Sequence, residues 1–230
     1  MSGHVAYQLA DSIATITMDD GKVNALSGSL LAELNGALDR ALADRAAVVL
    51  AGRAGVFSAG FDLRTLRSGG PEAIAMVRAG FELSARMLSF PRPLVIACTG
   101  HAVAMGVFLL LSGDYRIGAA GPHRIAANEV SIGMTMPRAA IEICLQRLAP
   151  AHFQRAILLS EVYAPDSAVA AGFLDRVVPA AELADAARGL AVDLARLDAS
   201  AHAATKLRVR EPTLQAIRAA IESDSAELVG

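Results

Sequence analysis

The chain has 230 residues, of which 54% are hydrophobic and 19% are charged, so it can bury a sizeable core and is not expected to be disordered. The net charge of -2 gives no electrostatic reason to expect nucleic acid or an anionic membrane as a partner. Met1–Met18 lacks the basic and apolar stretches of a signal peptide. The longest apolar run, Val103–Leu111, is far shorter than the roughly 20 residues that span a bilayer. We therefore expect a soluble cytoplasmic protein.

Strands and helices alternate in the first half of the chain. Val5–Leu9 and Ile13–Met18 are β-branched and alternate in polarity, which predicts a hairpin. Ser27 is a suitable N-cap for a helix over Leu30–Ala43, where leucines form an apolar stripe. Further along, the pattern predicts a strand at Ala47–Ala51, a loop at Gly52–Gly60, a helix at Glu72–Leu88, a strand at Leu94–Cys98, a turn at Thr99-Gly100, a helix near Gly106–Ser112 and a strand at Tyr115–Ile117.

The last third of the chain is rich in helix. A short strand at Leu174–Val178 is surrounded by predicted helices at Ala139–Leu148, Ala151–Leu159, Ser167–Ala171, Glu182–Leu197 and Thr213–Ser223. This order predicts an α/β core, residues 1–196, followed by a C-terminal helical segment, residues 197–230.

Two glycine-rich turns follow buried strands. Gly55–Leu63 contains Ser58-Ala59-Gly60, and Thr99–Gly106 opens a helix. Small residues let the backbone approach a ligand closely, and a helix N-terminus presents unpaired N–H groups. Two such turns could direct two N–H groups at one carbonyl oxygen, as in an oxyanion hole. Taken alone, the first loop is more often an ordinary turn, and the alternative for the pair is two ordinary tight turns.

Glu129 is a candidate acid/base, because it lies among Ile125, Val130, Ile132 and Met134. A carboxylate in an apolar setting has a raised pKa, which suits proton transfer at neutral pH. Composition alone instead favours a glutamate that faces solvent from a loop.

Several segments together resemble the crotonase family, the enoyl-CoA hydratase/isomerase superfamily. They extend over most of the chain and are Lys22–Leu26, Val56–Leu63, Arg92–Gly100, Gly113–Ile117 and Ala170–Val178. The resemblance implies a crotonase-like ββα spiral core and assembly as a homotrimer or a dimer of trimers. It also implies an acyl-CoA thioester substrate, with coenzyme A as part of the substrate and no prosthetic group.

The resemblance carries roles to particular residues of this chain. Backbone N–H groups of Phe61 and Met105 would hold the thioester oxygen, and Glu129 would be the catalytic carboxylate. Arg64 and Arg67 would meet phosphates of coenzyme A or, equally, form a solvated helical face. The residues implied to bind coenzyme A are Ala25, Leu26, Ala59, Phe61, Asp62, Leu63 and Arg64.

The chain departs from the family at the first of the two glutamates that hydratases use, where it has Phe108. In keeping only the second carboxylate, Glu129, it is similar to the monofunctional 3,2-enoyl-CoA isomerases. A hydratase of low activity and a non-catalytic acyl-CoA-binding protein remain alternatives. Ala104 and Met105 also replace two usual glycines, which is tolerable only if the backbone does not need a positive φ. Met105 is further expected to narrow the pocket.

Other polar residues are expected to be structural. We interpret Glu82 and Glu142 as salt-bridge residues on helix surfaces, Asp62 as a local hydrogen-bond acceptor and His101 as a satisfied structural histidine. Cys98 and Cys144 lie in apolar runs and are expected to be buried reduced thiols. No Ser/His/Asp triad or metal-ligand spacing is apparent in the sequence, so no metal site is predicted.

Overall fold

The computed structural model describes residues 3–227, and this range contains nine β-strands and nine α-helices. The strands are β1 (Val5–Ala10), β2 (Ile13–Met18), β3 (Ala47–Ala51), β4 (Gly55–Ser58), β5 (Leu94–Cys98), β6 (Gly100–Val103), β7 (Tyr115–Ala119), β8 (Ile125–Ala126) and β9 (Arg176–Val178). The helices are α1 (Gly28–Ala43), α2 (Leu63–Ser68), α3 (Gly70–Leu88), α4 (Met105–Leu111), α5 (Arg138–Leu145), α6 (Pro150–Leu158), α7 (Pro165–Ala171), α8 (Leu183–Ala195) and α9 (Ala199–Glu227).

The strands form a large sheet and a small one. In the large sheet the order is β1-β2-β3-β5-β7-β9, with β1 and β2 paired as the predicted antiparallel hairpin and the later pairs parallel. The small parallel sheet has the order β4-β6-β8. Each of β3, β5 and β7 is therefore followed by a strand of the small sheet and then by a helix. This repeated unit is the ββα spiral of the crotonase fold, as the resemblance implies.

Two segments predicted as loop or turn contain the small-sheet strands β4 and β6. Their small residues are typical of turns, and the strands form only because distant segments pair, Gly55 with Gly100 and Ser58 with Ala102. The pairing is so close that a Cβ built on Gly100 would lie 1.9 Å from the carbonyl carbon of Gly55. The loop prediction for Gly52–Gly60 was therefore wrong at Gly55–Ser58.

Helix prediction was correct in position but incomplete. Ser27 caps α1 through a 3.2 Å hydrogen bond from Leu30 N–H, as expected. The short helix α2 was missed; it is capped by Asp62. The C-terminal helix was predicted to begin at Thr213, but α9 begins at Ala199 and continues through Pro212. The division of the chain at residue 196 stays a prediction.

The core lies on both faces of the large sheet. One face packs against α1 and α3, and the other packs against buried residues of α8, including Leu183 and Ala187. Helix α9 is attached to this core by the buried Lys206, whose Nζ lies 2.6 Å from Asp114 Oδ2 and donates to the Phe90 carbonyl. Arg210 also pairs with Asp114, at 2.9 Å. None of the helices in the described range has the length and apolar character needed to cross a membrane.

Candidate active site

Glu129 lies in a loop between β8 and α5. Its carbonyl oxygen accepts hydrogen bonds from the N–H groups of Ile132 (3.0 Å) and Met134 (2.9 Å), which fix the loop around it. The residue is 5% exposed, so the solvent-facing position that composition favours is wrong. The reason is non-local, because aromatic residues from other elements, Phe61 and Phe108, line the same cavity.

The carboxyl group of Glu129 is desolvated. Its Oε2 atom is buried and has no hydrogen-bond partner among the described residues. Burial disfavours the charged form and raises the pKa of this carboxyl to about 7, although a backbone hydrogen bond acts in the opposite direction. Near neutral pH the group can therefore both accept and release a proton.

An apolar cavity of about 410 Å³ has Glu129 in its wall. Three aromatic rings pack along one side, with the Phe81 centroid 6.2 Å from that of Phe61 and 6.1 Å from that of Phe108. The other lining residues are Leu66, Val77, Met134, Thr135, Met136, Pro137, Arg138, Ile141 and Asp224. Such a lining suits an apolar chain with a few polar groups placed at one point.

Phe108 and Asp224 line the same cavity as Glu129, and neither offers a second free acid or base. Phe108 is 1% exposed and carries no group that can exchange a proton. Asp224 is the other carboxylate among the described lining residues, but its oxygens are occupied. They accept from the N–H groups of Arg138 (3.2 Å) and Ala139 (3.1 Å) at the start of α5 and pair with the Arg138 guanidinium. Of the two carboxylates among the described lining residues, Glu129 is therefore the one with an unpartnered oxygen.

The first glycine-rich turn is held by a parallel bridge between Leu26 and Phe61. Leu26 N–H donates to the Gly60 carbonyl (2.8 Å), and Asp62 N–H donates to the Leu26 carbonyl (3.2 Å). Along an extended strand, successive N–H groups point to opposite sides. The N–H of Phe61 therefore points away from Leu26, and Gly60 reaches this conformation with a φ of 90°.

The second turn lies directly against the first. A Cβ built on Gly60 would be 2.8 Å from the Ala104 Cβ and 3.2 Å from the Met105 nitrogen. Met105 begins α4, so its N–H has no partner within the helix. Ala104 has a φ of 49°, so the turn does require a positive φ and strains the alanine that stands there. The Met105 side chain is buried and is not among the described residues that line the cavity, so the expected narrowing is wrong.

The residues predicted to bind coenzyme A lie along one edge. Ala59 N–H donates to the Val23 carbonyl (3.0 Å), which places Ala25 and Leu26 beside the Ala59–Phe61 turn. Leu63, Arg64 and Arg67 follow on α2 and are exposed, whereas Leu26 is fully buried. Asp62 accepts from Thr65 N–H at 2.8 Å, and this hydrogen bond holds the pKa of its carboxyl below the usual value. Asp62 therefore accepts a local hydrogen bond, as expected, and it does so as the N-cap of α2, which was not predicted.

Asn24 is a site residue whose role was missed. It is fully buried with a φ of 51°, and its Nδ2 donates to the carbonyls of Met18 and Phe57, both at 3.1 Å. Ser58 Oγ in turn donates to the Asn24 carbonyl at 2.8 Å. These bonds join the Ala25–Leu26 edge to β4. The only sequence signal is the tolerance of asparagine for a left-handed conformation, which also occurs in ordinary turns.

The remaining polar candidates are mostly structural. Glu82 pairs with Arg78 on the surface of α3, as expected, and the ring Nδ1 of His101 accepts from Arg124 N–H. Glu142 is half-buried on α5, and its salt bridge stays a prediction. Cys98 and Cys144 are free and buried, as expected. Within residues 3–227 there is no cluster of His, Cys, Asp and Glu placed to hold a metal ion.

Comparison with known proteins assigns the chain to a family. The family model described as enoyl-CoA hydratase/isomerase matches residues 8–228. The chain belongs to the enoyl-CoA hydratase/isomerase family. It is thus an enzyme of the crotonase superfamily, as the resemblance indicated.

The relatives of this family member have different names. The apo structure of the Mtb enoyl-CoA isomerase is 49% identical, with a TM-score of 0.95 over 99% of this chain and 100% of that chain. An enoyl-CoA hydratase from Mycobacterium ulcerans Agy99 has the same identity, TM-score and coverage. The human mitochondrial enoyl-CoA delta isomerase 1 is 29% identical over 206 residues, 87% of this chain and 68% of its own length. These names agree on the family and differ on the reaction.

Proposed function

We propose that this enzyme shifts the double bond of an enoyl-CoA from the 3 to the 2 position by a proton shuttle on Glu129. The observation that carries the proposal is the one carboxylate among the described lining residues that has an unpartnered oxygen, Glu129, with a pKa of about 7 in a cavity also lined by Phe108. Hydration needs a second group to activate or protonate water. Isomerisation needs one group that removes a proton and returns it.

The proposed reaction has two proton transfers. Glu129, as the carboxylate, takes a proton from C2 of the 3-enoyl thioester, and the electron pair of that C–H bond moves into an enolate. The protonated carboxyl then delivers the same proton to C4 as the electrons return, leaving the double bond between C2 and C3. The enzyme ends in its starting protonation state, so no co-reactant is needed.

In this mechanism the N–H groups of Phe61 and Met105 bind the thioester oxygen as it gains charge. The proposal is supported by the contact between the two turns and by the orientation of both N–H groups away from internal partners. A preorganised donor of this kind typically contributes about 2.7–4 kcal/mol to transition-state stability. We further propose that coenzyme A lies along Ala25, Leu26, Ala59, Asp62, Leu63 and Arg64 and that the enzyme carries no prosthetic group.

We propose that the enzyme acts in the cytoplasm as a homotrimer or a dimer of trimers. The family resemblance supports this assembly. Exposed apolar residues on and after α6, Leu158, Leu159 and Val162, offer a surface for it. The mass in solution, measured by light scattering, distinguishes these forms from a monomer.

Incubation of the enzyme with separate 3-enoyl-CoA and 2-enoyl-CoA substrates tests the reaction. Formation of 2-enoyl-CoA from the first, without hydration of the second, is the expected result. Hydration of the second alone would identify the enzyme as a hydratase. Calorimetric binding of a saturated acyl-CoA with neither product would identify a non-catalytic binding protein.

A further inference from the structure

Gly80 lies where helix α3 meets the residues of both turns. A Cβ built on Gly80 would fall 2.5 Å from Cε1 and 2.6 Å from Cζ of Phe61, and 3.4 Å from Cε of Met105. The first two separations are far shorter than an ordinary van der Waals contact of about 3.5–4.0 Å between carbon atoms. The Phe61 ring therefore occupies space that exists only because residue 80 has no side chain.

This glycine is not explained by the helix that contains it. Gly80 lies in the interior of α3 and is buried, and its φ is not in the left-handed region. Alanine at such a position is a better helix former than glycine. The contact with Phe61 is the physical reason for a glycine here.

The backbone of Phe61 has little freedom to respond to a side chain at position 80. The hydrogen bonds from Leu26 N–H to Gly60 and from Asp62 N–H to Leu26 hold it on both sides, and Asp62 is in turn tied to α2. The ring is less constrained, since a displacement of about 1 Å at its edge stays within an ordinary rotamer well. Because Phe61 lines the cavity that holds Glu129, a displacement of its ring changes the width of that cavity.

We propose that Gly80 is a specificity-determining position that sets the width of the acyl cavity beside Glu129. By leaving room for the Phe61 ring, it keeps the cavity open to long apolar acyl chains, whereas any larger residue restricts the cavity to short ones. This inference rests on the proposed binding of acyl-CoA. It does not require that the enzyme isomerises or hydrates the bound substrate.

Calorimetric binding of butanoyl-CoA and decanoyl-CoA tests the proposal without requiring catalysis. Gly80→Ala is expected to weaken decanoyl-CoA relative to butanoyl-CoA by about tenfold, the scale of one misplaced methylene in an apolar pocket. Gly36→Ala in α1 and Gly189→Ala in α8 are matched controls, because a Cβ at either position meets nothing within 4 Å. Both controls are expected to leave the ratio of the two affinities unchanged.

A second variant tests the contact between residue 80 and the Phe61 ring by changing Phe61. Phe61→Leu in the Gly80→Ala background is expected to restore decanoyl-CoA binding, since it shortens the side chain and keeps the backbone N–H. An unchanged affinity ratio in a folded Gly80→Ala protein, or failure of Phe61→Leu to restore the ratio, would overturn the proposal. If Gly80→Ala does not fold, Phe61→Leu alone must raise the affinity for decanoyl-CoA relative to butanoyl-CoA, and an unchanged ratio would overturn the proposal.

The outcome separates this inference from the proposed function. A wild-type protein that binds both acyl-CoAs without isomerising any substrate removes only the isomerase proposal, and the variants still decide the role of Gly80. A wild-type protein that binds neither acyl-CoA overturns both.

Discussion

Gly60 and Met105 are neighbours across the two glycine-rich turns, and a Cβ on Gly60 would lie 3.2 Å from the Met105 nitrogen. The next residue after Gly60 is Phe61, so this contact sets the spacing of the two N–H groups proposed to bind the thioester oxygen. The positive φ of Gly60, 90°, adds a second requirement for glycine.

Gly60→Ala is predicted to lower kcat by about 10²–10³, the usual effect of losing one oxyanion donor. The added Cβ pushes Ala104 and Met105 away and strains the backbone. Gly69→Ala is the matched control, because Gly69 also has a positive φ (64°) but a Cβ there meets nothing within 4 Å. The control is expected to lose stability and keep its turnover. Wild-type kcat in Gly60→Ala would refute the role given to this contact.

The activity of the enzyme is predicted to rise with pH through about 7. Only the ionised form of Glu129 accepts a proton from C2, and burial raises the pKa of this carboxyl to about 7. Below that pH, kcat/KM should fall about tenfold per pH unit, as expected for one essential base. Measuring kcat/KM from about pH 5 to 9 checks this. A profile that is flat across neutrality, or that follows the pKa of an ordinary glutamate, would contradict the assignment.

Glu129→Gln is predicted to stabilise the fold above neutral pH. The pKa of Glu129 is higher in the folded state, so its ionisation opposes folding. The free energy of unfolding of the wild type therefore falls as the pH rises from about 4.5 to about 7. At about pH 8 the variant should gain up to about 3 kcal/mol, and near pH 4 little. Urea denaturation at both pH values measures the free energy of unfolding of each protein. The exposed control, Glu82→Gln, should show no such pH-dependent gain. An equal gain at both pH values would show that desolvation is not the cause.

Lys206→Met is predicted to destabilise the protein by about 1–3 kcal/mol, because it removes a buried charged donor and leaves Asp114 paired with Arg210. Lys206 Nζ lies 2.6 Å from Asp114 and also donates to the Phe90 and Arg92 carbonyls, so α9 would lose three buried or partly buried hydrogen bonds. Chemical denaturation measures the change. Arg78→Met removes two exposed ion pairs, one with Glu82 on α3 and one with Glu222 on α9, and should cost much less. Similar losses in the two variants would contradict the structural role of Lys206.

The parts of the fold with local signals were predictable. The hairpin follows from the alternation of Ile13–Met18, and α1 follows from the cap at Ser27 and its leucine stripe. Strands β4 and β6 could not be predicted, because their residues are typical of turns and the strands form by pairing with distant segments, β4 with β6 and β6 with β8. The start of α9 was also missed, since Pro212 normally ends a helix and the packing that holds Ala199–Arg210 in place is tertiary.

The candidate site residues come from motif resemblance and stay a prediction, whereas the burial of Glu129 is visible only in the structure. Motif resemblance singled out Phe61, Met105 and Glu129 in the sequence. The burial of Glu129 depends on Phe61 and Phe108, which come from other elements of the fold. The close contact of Gly80 with Phe61 joins α3 to the first turn and has no local signal, because an isolated glycine in a helical pattern looks only unfavourable.

The role of Glu129 as the proton shuttle is decided by the rate at which Glu129→Gln converts 3-enoyl-CoA to 2-enoyl-CoA, measured at about pH 8 with saturating substrate. Glutamine keeps the shape of the side chain and cannot accept the C2 proton. The single-carboxylate mechanism predicts a loss of about 10²-fold or more in kcat, with saturated acyl-CoA still bound and with Glu82→Gln as active as the wild type. A variant that retained the full wild-type rate would contradict the mechanism.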